Sequence, residues 1–371
     1  MTVPTTSTPA STPAAVKGRS RVVITDVTAV HAAGSRQQAE QRADASEAIW
    51  SGRAERYDRH LRSVGGAGFA ASPPFRGVFF DDPLEQLDVT CLQGVPECVT
   101  TTSERLSLHV AETLVERGGP LPKPVHLSLA DPQEDVSKQT FVTAVGVQIP
   151  APLTSTFFDP LGVYGLLGGV GTASVSRTTE ASASGTVALV DAVQRLERGS
   201  GGCAIVTAAS GKSIPIPFET TPLGAGADRS ALPFSDAAAG HYNAEGAVGL
   251  VVRDEASARV AGVPILARVA GYAYGTFGSR VVNRAVVSDV VLRALADADI
   301  DPQTPVLVDL YGRGNRIDDS AELSAMERVR QVYPALATAY LKGETHYVIG
   351  AHGLQGLVRL LEARATAAPV A

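Results

Sequence analysis

The residues with the clearest chemical potential in this chain are hydroxyl-bearing ones near its middle. Residues 177–185 read Arg-Thr-Thr-Glu-Ala-Ser-Ala-Ser-Gly, and Ser182 lies shortly before an apolar run, Thr-Val-Ala-Leu, that begins at residue 186. A serine hydroxyl is weakly acidic, so it attacks an acyl group only when an adjacent general base removes its proton. Ser182 is therefore a candidate acyl acceptor that needs a base from elsewhere in the chain.

Length and composition predict a soluble globular protein. The chain has 371 residues, 44% of them hydrophobic, which is enough for one large domain or two smaller ones. A net charge of −6 without any Lys/Arg run argues against a nucleic-acid partner. The apolar stretches are too short to span a bilayer, and the N-terminus does not resemble a signal peptide, so we expect no membrane partner. Three cysteines without metal-ligand spacing predict a cytoplasmic location and no metal site.

The pattern along the chain predicts strands that alternate with helices. Residues 1–18 are mostly Thr, Pro, Ser and Ala, and we expect a flexible tail because they have few large apolar side chains to bury. Helical periodicity or apolar β-branched runs predict the following elements. Helices are expected over residues 37–51, 101–117, 185–198, 287–298, 321–332 and 353–365, and strands over 21–25, 125–129, 141–149, 203–208, 246–253, 264–271 and 306–310. This order indicates a layered α/β fold.

The segment around Ser182 resembles the nucleophile motif of the β-ketoacyl synthases, Asp-Thr-Ala-Cys-Ser-Ser-Ser followed by Leu-Val-Ala-Leu. In that comparison Ser182 occupies the position of the reactive cysteine. A second segment, Pro-Phe-Ser-Asp at residues 233–236 with Ala-Glu-Gly-Ala at 244–247, resembles the family's Pro-Phe-Asp and Gly-Glu-Gly-Ala pair. The two segments occur in the order that the family shows.

Two C-terminal segments extend the resemblance. Tyr311 begins Tyr-Gly-Arg-Gly-Asn and aligns with the family's His-Gly-Thr, and Asp319 and Glu322 follow at the family's distances. Lys342 begins Lys-Gly-Glu-Thr-His-Tyr-Val-Ile-Gly-Ala, which is similar to Lys-Ser-Met-Thr-Gly-His-Leu-Leu-Gly-Ala. Both family histidines therefore fall on tyrosines, Tyr311 and Tyr347.

The resemblance implies the thiolase fold, a layered α-β-α-β-α arrangement of two similar halves. We assign residues 19–255 to the N-terminal ketosynthase-like half and residues 256–371 to the C-terminal half. After Lys342 the sequence shows no counterpart of the family's closing Gly-Phe-Gly-Gly segment. The second half is accordingly expected to be shortened at its C-terminus.

The replacements predict that no intact catalytic set remains. In the family a thiolate at a helix N-terminus receives the acyl chain, and two histidines stabilise the enolate that forms when carbon dioxide leaves. Serine without a base cannot replace the thiolate, and the longer tyrosine rings are expected to fill the pocket while still able to donate a hydrogen bond.

Other polar residues of these segments receive structural interpretations. His346, beside Tyr347, is the candidate rescue base, and His241 and His352 also lie in motif segments. A structural histidine is commoner than a displaced base, so we favour that interpretation for all three. The remaining polar residues correspond to the network that supports the family's active site and are expected to stabilise loops: Asp319, Glu322 and Lys342.

A thiolase-fold chain that lacks the nucleophile and both histidines resembles the chain length factor of type II polyketide synthases. The resemblance implies a heterodimer with an active ketosynthase, an acyl carrier protein that delivers substrates on its phosphopantetheine, and no cofactor of the chain's own. Bulky side chains would then limit the acyl tunnel. The candidates for tunnel or interface are Phe157, Phe158, Tyr164, Leu166 and Leu167.

Two other functions stay open at this point. The chain could be an autonomous acyltransferase or thioesterase in which Ser182 is acylated and His346 is the base. It could also be a scaffold that binds the carrier protein without shaping a tunnel. An acyl adduct on Ser182 would distinguish the first of these from a partner subunit.

Overall fold

A computed structural model describes part of the predicted N-terminal half and most of the predicted C-terminal half. The described residues are 21–32, 38, 41–42, 77–78, 87, 89–90, 102–118, 121–130, 172–211, 233–236, 238, 243–276, 278, 281–342 and 347–366. The strands are β1 (Val22–His31), β2 (Gly77–Val78), β3 (Val125–Ala130), β4 (Thr172–Thr178), β5 (Cys203–Ser210), β6 (Asn243–Ala244), β7 (Gly246–Asp254), β8 (Ala267–Arg268), β9 (Val306–Asp309) and β10 (Leu336–Ala339). The helices are α1 (Thr102–Arg117), α2 (Ser184–Glu197), α3 (Glu255–Val260), α4 (Arg284–Asp297), α5 (Arg316–Arg330) and α6 (His352–Thr366).

A mixed six-stranded sheet forms the centre of the described structure, with strand order β4-β3-β5-β7-β1-β8. Strand β3 runs parallel to β4 and β5, whereas β7 is antiparallel to both β5 and β1. Every residue of β3 and β5 is buried, as expected for apolar strands whose two faces are both covered. Among the described strands, β4 has a neighbour on one side only and lies at the edge of the sheet.

Helices cover both faces of this sheet. Gly249 of β7 lies against Leu114 and Val110 of α1, and a Cβ there would approach Leu114 to 2.8 Å. Gly249 pairs with Thr207 of β5, and the next residue of β5, Ala208, faces the opposite side of the sheet. The Ala208 Cβ lies 3.2 Å from a Cβ placed on Gly185 of α2. Helix α6 packs on α2 and on β1 and β7. Helix α1 thus covers one face, and α2 covers the other.

A second, smaller unit follows in the chain. Strands β9 and β10 pair in parallel, and their side chains pack with α4 and α5 around a separate apolar cluster that includes Leu310, Met326 and Tyr333. Each helix begins at an asparagine cap: the Asn283 side chain accepts N–H bonds from the first turn of α4, and Asn315 does so for α5. Among the helices in the described ranges, none has the length and apolarity needed to cross a membrane.

The predicted alternation of strands and helices is confirmed for the described residues. One predicted strand, residues 264–271, is reduced to the two residues of β8, and its remainder has no regular structure. Strands β2, β4, β6 and β10 and helix α3 were not predicted. Strand β8 pairs with β1, so the predicted second half contributes to the sheet of the first, and the division at residue 255 stays a prediction.

Candidate active site

Ser182 lies on a tight turn between a strand and a helix. Strand β4 ends at Thr178, a single 3-10 turn spans Ala181–Ala183, and α2 begins at the next residue. Ala181 has a φ of 48°, in the left-handed region that costs a non-glycine residue about 1 kcal/mol. The Glu180 N–H donates to the buried Ser184 hydroxyl at 2.8 Å and holds the turn. The fold therefore presents Ser182, half-buried, at the N-terminal end of α2.

The structure brings together Ser182, Tyr311 and Tyr347, the three positions at which the sequence analysis predicts departures from the ketosynthase motifs. The Tyr347 hydroxyl forms hydrogen bonds with the hydroxyl of Ser182 and, at 2.5 Å, with that of Tyr311. The two tyrosine rings meet edge to face, with centroids 6.1 Å apart. We call Ser182, Tyr311 and Tyr347 the hydroxyl cluster. They come from the β4–α2 turn, the end of β9 and the segment before α6.

The hydroxyl cluster has no basic group of its own near neutral pH. Burial raises the pKa of Tyr311 well above its usual range, and the neighbouring Tyr347 contributes to the same shift. A phenol in this environment stays protonated, so it can donate a hydrogen bond but cannot take the proton of Ser182. The cluster can hold an oxygen atom in place without activating it as a nucleophile.

Among the described histidines, His352 lies at this site. Its ring lies 4.9 Å from that of Tyr311 and 4.7 Å from that of Tyr347, and it is buried at the start of α6. Nε2 donates to the Tyr311 carbonyl oxygen at 2.8 Å, and Nδ1 contacts the Gln355 side chain at 3.0 Å. Both ring nitrogens therefore bind groups other than Ser182, and the His352 ring packs against the rings of Tyr311 and Tyr347. His346 lies outside the described residues.

Two of the acidic residues on α5, Asp319 and Glu322, hold the loops around the cluster. Glu322 accepts the backbone N–H of Tyr311 at 2.6 Å and of Gly312 at 3.0 Å. Asp319 accepts those of Phe234 at 2.9 Å and Gly314 at 3.0 Å. Burial raises the pKa of both carboxyl groups despite these bonds. The arrangement ties the Tyr311 loop and the Phe234 loop to one helix.

Lys342 holds the end of β9. Its ammonium donates to the Asp309 carboxylate and to the Leu310 carbonyl oxygen, each at 2.6 Å, and the side chain is almost fully buried. Burial lowers the pKa of this lysine, and the Asp309 carboxylate opposes that shift. Gly356 makes this pairing possible, because a Cβ there would lie 1.9 Å from the Asp309 carboxylate. Lys342 thus fixes the residue that directly precedes Tyr311.

Several predicted residues cannot be placed. The tunnel or interface candidates lie outside the described residues: Phe157, Phe158, Tyr164, Leu166 and Leu167. Within the described ranges, no group of three or more His, Cys, Asp or Glu side chains could hold a metal ion.

Several polyketide synthases are among the curated proteins that this chain is similar to. The chain is 30% identical over 193 residues to the pikromycin polyketide synthase component PikAII of Streptomyces venezuelae, a match covering 49% of this chain and 5% of that protein. It is 33% identical over 152 residues to the erythronolide synthase EryA3 of Saccharopolyspora erythraea, covering 39% of this chain and 5% of that protein. The chain therefore spans a small part of these relatives. No protein-family model matches it.

Solved structures match over almost the whole chain. A β-ketoacyl synthase from Burkholderia phymatum superposes with a TM-score of 0.67 at 18% identity, covering 92% of this chain and 86% of the other. A type II polyketide synthase ketosynthase, solved with its acyl-carrier protein and bound to the hexaketide, gives 0.66 at 17% identity, covering 93% and 86%. The fold prediction is confirmed: the chain has the thiolase-like fold of the ketosynthases.

Proposed function

We propose that the chain is a non-catalytic subunit of the chain length factor type, which pairs with an active ketosynthase in a type II polyketide synthase. The observation that carries the proposal is the hydroxyl cluster. By the motif resemblance, three oxygen-bearing side chains stand where the family uses one sulfur and two imidazoles, and their hydroxyls bond to one another. These three side chains carry neither the thiol nor the imidazole groups that perform condensation in the family.

Acylation of Ser182 requires removal of its hydroxyl proton. Acylation of a serine needs a base within hydrogen-bond reach, and general-base assistance is typically worth about 100-fold to 10,000-fold in rate. The neighbour of Ser182 is the Tyr347 hydroxyl, and the Tyr311 phenol behind it has a raised pKa. His352 uses Nε2 to hold the Tyr311 backbone. Decarboxylation would also lack the two imidazole donors, and the loss of one such donor costs about 100-fold or more.

The partner assignments rest on the comparisons and on the family resemblance. The curated relatives are polyketide synthases, and one structural neighbour is a ketosynthase in complex with its acyl-carrier protein. In our proposal an active ketosynthase in the cytoplasm supplies the cysteine and histidines. An acyl carrier protein brings the growing chain on its phosphopantetheine. This chain contributes the interface and part of the acyl tunnel, for which Phe157, Phe158, Tyr164, Leu166 and Leu167 remain the candidates.

The proposal is tested by co-expressing the chain with a ketosynthase and carrier protein encoded beside it. We expect a stable heterodimer whose polyketide output is unchanged by Ser182→Ala and abolished when the partner's nucleophile is replaced. An exposed serine of the same chain, changed in Ser200→Ala, controls for nonspecific effects. A stable homodimer that does not bind the ketosynthase would count against the proposal.

The alternative of an autonomous Ser182-dependent acyltransferase or thioesterase makes an opposite prediction. Incubation of the isolated chain with an acyl thioester or acylated carrier protein would leave an adduct on Ser182, visible as a mass increase on that peptide. The candidate base, His346, would then be essential. The scaffold alternative is distinguished by alanine replacement at Phe157 and Phe158, which alters product length only if these side chains form the tunnel wall.

A further inference from the structure

Two units of two strands and a helix follow the same order in this fold. In the first, the parallel strands β3 and β4 precede α2, which begins just after Ser182. In the second, the parallel strands β9 and β10 precede α6, which begins shortly after Tyr347. Helices α2 and α6 pack against each other. The surroundings of the first unit can therefore be compared with those of the second.

In the first unit both edges of β3 are paired. Strand β4 pairs with one edge, and β5, the strand after α2, pairs in parallel with the other. Strand β7 then adds antiparallel to β5. Helix α2 packs on β3 and β5 on one face of the sheet, and α1 covers β5 and β7 on the other. Two added strands thus lie between two helices.

In the second unit the corresponding edge of β9 is open. Strand β10 pairs with one edge, and no described strand pairs with the other. Helix α6 lies over β9 at Gly356, where a Cβ would be 1.9 Å from the Asp309 carboxylate. Leu307 lies two residues before Asp309 and points to the same face, yet it is 54% exposed. Leu360 follows Gly356 by one turn of α6 and is 50% exposed.

Helix α4 borders the opposite face of this open edge. Val308 packs into the apolar cluster that α4 and α5 share, on the other face of β9 from Leu307. Helix α1, which covers β5 and β7, buries ten of its residues, whereas Ser288 is the one buried residue of α4. The large apolar side chains of α4 are all partly exposed: Val286, Val287, Val290, Val291, Leu292 and Leu295.

The segment that follows β8 forms the far side of the opening. Residues 264–275 read Pro-Ile-Leu-Ala-Arg-Val-Ala-Gly-Tyr-Ala-Tyr-Gly, and none of them is buried. The end of this segment lies against α4, because a Cβ on Gly275 would be 3.0 Å from Val290. Helix α4 therefore contacts this segment as well as the cluster beside β9. We call the opening bounded by β9, residues 271–275, α4 and α6 the strand gap.

The walls of the strand gap specify the chemistry of its occupant. The open edge of β9 offers backbone N–H and C=O groups to a neighbouring strand. Successive side chains of that strand would face Leu307 and Leu360 on one side and the apolar residues of α4 on the other, so both of its faces must be apolar. By comparison with β5 and β7, two strands complete such a unit, the first parallel to its neighbour and the second antiparallel.

We propose that the strand gap binds a two-stranded apolar segment of another polypeptide, which adds to the edge of β9. A second copy of this chain fits the strand gap poorly with its described edge strand. That strand, β4, reads Thr-Ala-Ser-Val-Ser-Arg-Thr and has one large apolar side chain. The inference goes beyond the proposed function, because it concerns completion of the fold and requires no ketosynthase activity.

The test is photo-crosslinking of the full chain in the cells that produce it, with p-benzoylphenylalanine in place of Leu307 or Leu360. We expect both positions to form an adduct with the same two-stranded segment of another polypeptide, identified by peptide mass spectrometry. Val260 and Val332 are exposed apolar residues outside the strand gap and serve as matched controls that should not form this adduct. Circular dichroism checks that each variant is folded.

A synthetic copy of the cross-linked segment then shows whether it adds as a strand. Added to the purified chain, it should slow hydrogen exchange at Val306–Asp309 about 10-fold or more, with α3 unchanged. Leu307→Asp places a charge in the apolar gap and should abolish this protection, whereas Val332→Asp should preserve it. Both side chains are exposed in the free chain, so neither variant should alter its thermal unfolding.

Several outcomes would overturn the inference. These are the lack of a shared adduct at positions 307 and 360, an adduct with a second copy, and an adduct within the same chain. Unchanged exchange at Val306–Asp309 in the presence of the synthetic segment, or full protection in Leu307→Asp, would reject strand addition as well. Acylation of Ser182 and binding of a ketosynthase are read out by other assays, so the two proposals fail separately.

Discussion

The most direct test of the support around the hydroxyl cluster is Lys342→Met. Methionine keeps most of the length of the side chain but removes two charge-assisted bonds, one to Asp309 and one to the Leu310 carbonyl. Each such bond is worth about 1.5–3 kcal/mol, and breaking a buried ion pair costs about 3–5 kcal/mol. Because Asp309 keeps 22% of its side chain exposed, water can solvate the carboxylate that loses its partner and offset part of this cost. We therefore expect the unfolding free energy to fall by about 3 kcal/mol.

The assay is urea unfolding followed by circular dichroism, with Arg293→Met as the matched control. Arg293 also binds one carboxylate, Asp289 at 2.8 Å, and one carbonyl oxygen, that of Tyr274 at 3.1 Å. Its side chain is 51% exposed and that of Asp289 62%, so its loss should cost about 0.5 kcal/mol or less. The two variants thus differ mainly in the burial of the ion pair.

A double-mutant cycle isolates the pair itself. Combining Lys342→Met with Asp309→Asn should recover part of the sum of the single losses, because each single variant leaves a polar group without its charged partner. The reasoning is refuted if Lys342→Met is no more destabilising than Arg293→Met, or if the cycle shows no coupling between positions 342 and 309.

Three further changes test other parts of the fold. Gly185→Ala places a Cβ 2.9 Å from the Gly350 carbonyl oxygen and should lower the unfolding free energy by about 1–3 kcal/mol, whereas Gly278→Ala meets nothing within 4 Å and should be neutral in the same melt. Burial lowers the pKa of His31 to about 4, so the unfolded chain binds a proton more readily than the folded one and protonation favours unfolding. Between pH 7 and 4.5 the unfolding free energy of the wild type, measured by urea titration, should therefore fall by about 2 kcal/mol more than that of His31→Leu. Asn315→Ala removes the cap of α5 and should cost about 1 kcal/mol, measured by thermal unfolding.

The sequence allowed most elements of the large sheet to be predicted, but not its edge. The run Cys-Ala-Ile-Val-Thr of β5 is apolar and β-branched, which is the pattern of a strand buried on both faces. Strand β4 reads Thr-Ala-Ser-Val-Ser-Arg-Thr and contains one large apolar residue. Its sequence therefore gives no clear hydrophobic pattern for either a strand or a helix. Its structure depends on pairing with β3, a tertiary contact that local pattern does not contain.

The sequence identified the residues of the hydroxyl cluster but not the contacts between them. Motif order pointed to Ser182, Tyr311 and Tyr347, although spacing along the chain could not show that their hydroxyls bond to one another. His352 was considered together with His346 and His241, and only the fold shows that it packs against both tyrosine rings. The sequence did contain one indication of this role: His352 directly follows the motif segment that contains Tyr347, and it is the first residue of a helix.

The position of β1 has a consequence for synthesis of the protein. Its residues pair on one side with β7, as in Val22 with Asp254, and on the other with β8, as in Val23 with Arg268. A ribosome must therefore make more than two hundred further residues before either edge of this early apolar strand finds its neighbour. During that interval the nascent chain exposes a segment prone to aggregation, and we expect its yield to depend on chaperones.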